Sequence, residues 1–251
     1  MIVDYLARQR IESWIKKRVK KESVLWAILR FCIRSIKFFY HVMDKDIPSM
    51  RRRLMIAIAR RTTGMPLPSI RSELPSLLNH LNLNGKGAEI GVWTGGFSEE
   101  VLKKSNLSIL FSVDSWKRYD EKIYEDLDNI SQEGFEQIYN QAFERLKKYG
   151  KRSKIIRNTS YDSCKLFDDR TLDFIFIDAN HSYKASKEDL ELWWPKLREK
   201  GVFAGHDYIN GALSVGIYGV KRAVNEFVAK HKQHLYVTCE KDTPTWYLIK
   251  K

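Results

Sequence analysis

Asp178 and His181 stand three residues apart, immediately after the uncharged run Phe174-Ile-Phe-Ile177. Asp207, preceded by His206, follows the apolar run Gly201-Val-Phe-Ala204 in the same way. If the two runs are neighbouring strands, the Asp178 and Asp207 carboxylates approach each other at one rim. Two such groups repel unless a cation or a shared proton compensates them. A divalent ion bound by carboxylates, water and ligand oxygens is the economical solution. An imidazole with an ordinary pKa of about 6.5 accepts a proton at neutral pH, which makes His181 a candidate general base. The competing role for His181 is a bond to the backbone of the helix that follows.

A second constellation lies earlier in the chain. Glu89-Ile-Gly91-Val-Trp-Thr-Gly95-Gly96 sits where an apolar strand run gives way to helical spacing. Glycines there let the backbone turn sharply and approach a ligand closely. The spacing is not the G-x-G-x-x-G of dinucleotide enzymes, so a pyrophosphate cradle is not expected. Asp114 closes the next strand run and is placed to accept hydrogen bonds from a ribose diol. A glycine turn followed by such an acid points to a nucleoside.

The elements that must position these residues are legible from period and punctuation. Apolar, β-prone runs occur at 88–92, 109–113, 154–156, 172–177 and 201–204. Helical spacing fills 97–104, 131–149, 161–167 and 184–197, and Ser72 is placed to cap a helix over 72–81. Strands alternating with helices predict an α/β fold, a mostly parallel sheet covered on both faces. Runs at 235–239 and 245–249, separated by a short turn around Pro244, predict a C-terminal antiparallel hairpin at the sheet edge. In open α/β sheets ligands bind beyond the carboxyl ends of the strands, which is where Glu89, Asp114, Asp178 and Asp207 all fall.

Charge divides the chain. Of 44 Lys and Arg and 31 Asp and Glu in 251 residues, residues 1–65 hold sixteen and five, a balance of +11, and the remainder only +2. A basic α-helical extension, 1–65, is therefore expected ahead of a nearly neutral body, 66–251, the boundary marked by Gly64, Pro66 and Pro68. Val24 to Met43 has the length of a membrane span, but Arg30, Arg34, Lys37 and His41 recur along one helical stripe. Each buried cation would cost roughly 2.5–3.5 kcal/mol, so a helix in the membrane interface or packed on a partner fits better. Lys16–Lys21, Arg51–Arg53 and Arg60-Arg61 would favour an anionic surface. Packing within the chain or in a homo-oligomer is the alternative. No helix-turn-helix, zinc spacing or RNA-binding pattern accompanies the charge, so nucleic acid is not the expected partner. Three scattered cysteines form neither a disulfide framework nor a zinc spacing, and Arg8 and Arg10 break the first apolar run. Together these lead to an expected cytoplasmic location, with peripheral contact at the inner membrane face through the extension.

Glu89–Ser98, Ser112-Val-Asp-Ser-Trp116, Phe176–Tyr183, Gly205-His-Asp-Tyr208 and Gly219–Val224 together resemble class I S-adenosylmethionine-dependent methyltransferases. The similarity is greatest to the branch of macrocin-type sugar O-methyltransferases and cephalosporin-hydroxylase-like proteins, over roughly residues 70–251. The resemblance implies a Rossmann-like fold and S-adenosylmethionine as cofactor. Glu89, Gly91 and Gly95 would line its methionine and ribose end, Asp114 would hold the ribose hydroxyls, and Trp116 with Asn158, Thr159 and Ser160 would lie near the adenine. Core packing for Trp116 and helix capping for Ser160 are the competing roles. The resemblance also implies a divalent metal, Mg2+ or Mn2+, at Asp178, His206 and Asp207. His206 departs from the acid common at that position, and imidazole suits Mn2+ better than Mg2+. His181 would take the proton of an attacking hydroxyl on a sugar or glycoconjugate, with Asp178 beside it. A phenolic, small-metabolite or RNA acceptor, or a non-catalytic membrane-bound scaffold, are the alternative functions. Acceptor choice is expected in 117–151 and 209–218.

Overall fold

Alternating large apolar side chains build the centre of the molecule. The computed structural model describes residues 50–119, 130–213 and 216–251, and the stretches 16–21 and 24–43 lie outside them. Strands β1 (Lys86–Ile90), β2 (Ile109–Asp114), β3 (Ser153–Arg157), β4 (Leu172–Ile177) and β5 (Leu197–Gly205) form a parallel array. A small hairpin, β6 (Gly211–Leu213) and β7 (Gly216–Tyr218), stands apart. β8 (Tyr236–Val237) and β9 (Trp246–Ile249) close the edge antiparallel, giving the seven-stranded order β3-β2-β1-β4-β5-β9-β8. The expected mostly parallel sheet with its antiparallel C-terminal hairpin is thus present.

Helices cover both faces, so β4 is buried at every position. Its period of two sends Phe174 and Phe176 into a core with Leu74, Leu77, Phe97 and Tyr247, and Ile175 and Ile177 into another with Trp193, Phe203 and Trp246. Burying each aromatic ring of that strand contributes about 1.5–3 kcal/mol. The helices are α1 (residues 50–63), α2 (Leu74–His80), α3 (Gly96–Lys104), α4 (Gln132–Leu146), α5 (Ser160–Cys164), α6 (Tyr183–Trp193) and α7 (Val220–His231).

Several boundaries differ from expectation. Ser72 does not cap a helix; it lies in a 3-10 turn, Arg71–Glu73, that leads into α2 with Pro75 in the first turn. α5 is shorter than 161–167 and is capped by Thr159, whose Oγ1 accepts from the Asp162 N–H at 3.1 Å. α6 ends at Trp193, because Pro195 cannot continue it, and the chain turns through Trp194–Lys196 into β5. Upstream of the expected boundary at 66, α1 packs against the body. Ile56 is buried in the core with Leu67 and Leu74, and Arg60 bonds the Leu67 carbonyl at 2.8 Å and Glu73 Oε2 at 2.7 Å.

Candidate active site

The carboxyl ends of the strands open on a cleft of about 1210 Å³. Gly91 has φ +85°, and a Cβ there would lie 2.0 Å from the Asp178 carbonyl oxygen, so the end of β1 approaches β4 only as glycine. Asp178 N–H in turn bonds the Ile90 carbonyl at 2.7 Å. Gly95 (φ +77°) is the cap of α3, where a Cβ would press on Leu146; Gly96, not Gly95, faces the cleft.

On the side of β1 to β3, carboxylates are held by local donors. Asp114 Oδ2 accepts from the N–H groups of Val92 (2.9 Å) and Trp93 (3.0 Å), and Oδ1 from that of Trp116 (2.9 Å). Three donors on one carboxylate leave acceptor capacity facing the cleft, which Asp114 lines. Trp93 and Trp116 take left-handed φ values of 52° and 43° to present these N–H groups. Such conformations cost about 1–3 kcal/mol each and cluster at functional sites. Glu89 is 2% exposed, accepts from Ser98 Oγ, and Ser98 and Ser112 hydroxyls meet at 2.6 Å. Burial pushes its carboxyl up to about 8, with Asp178 and Asp114 adding to the rise and Ser98 and Arg71 opposing it.

Asn158, Thr159 and Ser160 also border the cleft. Asn158 Oδ1 accepts from the Thr159 N–H at 2.8 Å, and Ser160 Oγ donates to Asp189 while accepting from Trp193 Nε1 at 2.9 Å. Asp189 was not anticipated. Burial pushes its carboxyl up to about 6 despite the Ser160 bond. The available signal was an acid on the face of α6 that carries Ser186, Leu190 and Trp193. Trp116 is the misplaced residue: its side chain is fully buried, bonds the Trp93 carbonyl through Nε1 at 2.9 Å and packs on Tyr139, away from the cleft lining. An indole there supports the Asp114 turn from behind.

On the side of β4 and β5, four expected residues converge. His181 Nε2 lies 2.9 Å from Asp207 Oδ2 and 3.7 Å from Asp178 Oδ1, with its ring stacked 4.7 Å from Tyr218. His206 Nδ1 lies 3.3 Å from Asp207 Oδ1 and 3.8 Å from Asp178 Oδ1. Burial would raise the Asp207 pKa, but hydrogen bonds from His181 and His206 win and hold it well below the carboxylate range. Among the described residues, the group whose ligand atoms come close enough to share an ion is Asp178, His181 and Asp207, all within 4.8 Å. His181 therefore takes the place expected of His206 in that trio, because its helix-capping turn brings Nε2 between the two carboxylates. Arg71, also unanticipated, reaches the same rim from the turn before α2, with Nη1 3.5 Å from Asp178 Oδ2.

A parallel sheet in this order, closed by an antiparallel hairpin and carrying its polar residues at the strand ends, is the Rossmann-like fold of class I methyltransferases. The family model described as a methyltransferase domain matches residues 88–208, which span β1 through the Asp207 turn. Residues 88–208 are thus similar to a methyltransferase domain. Among solved structures, a candidate caffeoyl-CoA O-methyltransferase from Staphylococcus aureus superposes with TM-score 0.52 at 16% identity, covering 78% of this chain and 90% of that one. A candidate O-methyltransferase from Klebsiella pneumoniae gives TM-score 0.50 at 14% identity, covering 96% of both chains. At such identity the likeness is one of fold. Over 99 residues the chain is 30% identical to the uncharacterized protein y4gI of Sinorhizobium fredii, covering 39% of this chain. That alignment spans 10% of the relative's length.

Proposed function

We propose that the protein transfers the methyl group of S-adenosylmethionine to a hydroxyl of a small molecule, a sugar or a glycoconjugate. The observation that carries this reading is the joining of two unlike half-sites in one cleft. Asp114 and Glu89 suit a nucleoside with a cationic amino-acid end, and the Asp178, His181 and Asp207 cluster suits a hydroxyl that must lose a proton. Methyl transfer from a sulfonium is an in-line displacement: the acceptor oxygen forms the new bond to carbon as the carbon–sulfur bond breaks. Holding oxygen, carbon and sulfur in line is then the main task of the cleft. His181 accepts the hydroxyl proton, and Asp207 at 2.9 Å stabilises the imidazolium that results.

The donor set also fits a divalent ion, since two carboxylates and an imidazole lie within 4.8 Å of one another. Asp178, His181 and Asp207 would hold it, and imidazole suits Mn2+ better than Mg2+. When bound, such an ion would lower the pKa of an acceptor hydroxyl. Without an ion, Nε2–H donates to Asp207 and the hydroxyl proton would be taken at Nδ1; an ion would occupy Nε2, so ligation and the Asp207 bond are alternatives for that nitrogen. The test is transfer of labelled methyl from S-adenosylmethionine to a panel of diol and sugar acceptors, with and without chelator. Labelling that survives chelation assigns His181 as base, labelling that needs added Mn2+ assigns it as ligand, and no labelling of any hydroxyl rejects the reading.

The reading includes peripheral contact with an anionic membrane through the basic extension, to bring the site to lipid-linked acceptors. Its support among the described residues is α1, where Met50, Leu54 and Ile58 form an exposed ridge 60%, 62% and 50% accessible. That ridge lies opposite buried Ile56 and is interleaved with exposed Arg51, Arg53 and Arg61. Among the described residues no helix is long and apolar enough to cross a membrane. Sedimentation with anionic vesicles that is lost in Leu54→Asp/Ile58→Asp would support the contact. Equal sedimentation of both proteins, or of neither, would remove it.

A further inference from the structure

Arg71 is a cation in the cleft with most of its hydrogen-bonding capacity unspent. It stands in the 3-10 turn before α2, fixed by its own backbone N–H, which donates to Glu240 Oε1 at 3.0 Å. The side chain is one-third exposed and lies over the Phe97 ring, 5.1 Å from its centroid, beside the first turn of α3. Among the described residues its charged contact is Asp178 Oδ2 at 3.5 Å, too long for a hydrogen bond, and its side chain donates no other. A guanidinium carries five N–H donors in a planar fork that matches a carboxylate.

The surroundings select the ligand group. Asp114, Asp178 and Asp207 make most of the cleft wall hostile to an anion, and Lys117, the other Lys or Arg on that wall, follows β2 rather than β1. Arg71 and Glu89 line the same cleft beside the first turn of α3, Arg71 over the Phe97 ring and Glu89 bonded by the adjacent Ser98. A guanidinium beside a carboxyl is the complement of an α-amino acid, whose carboxylate and ammonium need one of each. The start of α3 adds the positive end of a nine-residue helix.

We propose that Arg71 binds the carboxylate at the amino-acid end of the methyl donor, with Glu89 receiving the neighbouring ammonium. The proposal rests on the cofactor reading above and adds to it the residue that anchors the donor's charged tail. Arg71 thereby fixes the sulfur, and with it the methyl group, against the His181 side of the cleft. It also explains why the body extends upstream of β1: the turn that carries Arg71 is held by Glu240 and by Glu73, which accepts from Ser69 N–H at 2.6 Å.

The test compares two ligands on the full chain by titration calorimetry. S-Adenosylhomocysteine carries the amino-acid end; 5′-methylthioadenosine keeps the nucleoside and thioether but lacks it. The wild type is expected to bind the first more tightly. Arg71→Met, which keeps the aliphatic stem, is expected to lose on the order of 10- to 100-fold in affinity for S-adenosylhomocysteine and less than about twofold for 5′-methylthioadenosine. Arg71→Lys should recover part of the loss. Equal weakening of both ligands would mean that the substitution only disturbs the cleft, and would overturn the proposal. Unchanged affinity for S-adenosylhomocysteine would overturn it as well, and a raised KM for the acceptor would then assign Arg71 to an acidic acceptor. If the wild type binds neither ligand, the cofactor reading itself falls; if it binds both and Arg71→Met makes no distinction, only the anchor is lost.

Discussion

Asp114 and Asp207 both end strands of the same sheet, yet Asp114 is held by three backbone N–H groups and Asp207 by two imidazoles. The first arrangement is local: a turn after β1 and a turn after β2 aim their donors at one carboxylate. It fixes geometry without adding a titratable partner. The second is assembled from side chains on separate elements, and every partner there except Arg71 can gain or lose a proton. A half-site built from backbone suits a ligand that must be bound the same way in every turnover. One built from imidazoles and carboxylates suits the step in which charge moves.

That contrast can be broken at several points. The largest effect is expected from His181→Ala, which should lower turnover by about 10²- to 10⁴-fold while leaving S-adenosylhomocysteine affinity within about twofold. Near-normal turnover across the pH range would remove His181 from the chemistry. Asp114→Ala should do the reverse. It strips three backbone donors of their acceptor, so both cofactor affinity and melting temperature should fall, with about 1–3 kcal/mol for each donor left buried and unpaired. Calorimetry and thermal melting check both, and unchanged affinity would end its ribose role.

Glu89 sharpens the comparison through pH. In the ligand-free protein burial holds its carboxyl neutral up to about 8. An ammonium placed against it favours the ionised form, so S-adenosylhomocysteine binding should release protons and tighten as pH rises toward 8. Titration in two buffers of different ionisation enthalpy measures that release, and Glu89→Gln should abolish it. The sign for stability is opposite. A folded pKa raised above the unfolded value of 4.5 gives stability that is fully present below 4.5 and is lost as pH rises through about 8. Glu89→Gln should therefore flatten that loss in thermal melts of the ligand-free protein. The smallest effect belongs to Trp116→Phe, which removes the bond to the Trp93 carbonyl. It should cost about 1 kcal/mol in melting and leave cofactor affinity unchanged, whereas a loss of affinity would return Trp116 to the cleft.

The same contrast explains what the sequence made legible. Strand periodicity in Phe174–Ile177 and the glycines at 91 and 95 place Glu89, Asp114, Asp178 and Asp207 at one rim, because sheet order brings the ends of consecutive strands together. Trp116 is open in the sequence between adenine and core, and the structure buries its side chain and bonds Nε1 to the Trp93 carbonyl. Arg71 carried no local signal: a lone arginine before a helix reads as a solvated cap, and its role follows from a turn packed against distant Glu240. Histidine geometry was equally hidden. His181 and His206 flank the same carboxylates, and which nitrogen falls between them depends on the turn into α6, whose cap Ser182 accepts from Ala185 N–H at 3.3 Å. The packing of α1 was hidden by charge, since its arginines read as part of the basic arm while Ile56 and Arg60 tie the helix to the core.

Calorimetric titration of the full-length protein with S-adenosylhomocysteine, repeated with Mn2+ and Mg2+, tests the central claim most directly. Saturable binding in the micromolar range, present without metal because the backbone-held half-site needs none, is the expected result. No binding under any of the three conditions would contradict the assignment of the cleft to an S-adenosylmethionine-type cofactor and leave the sheet as a scaffold.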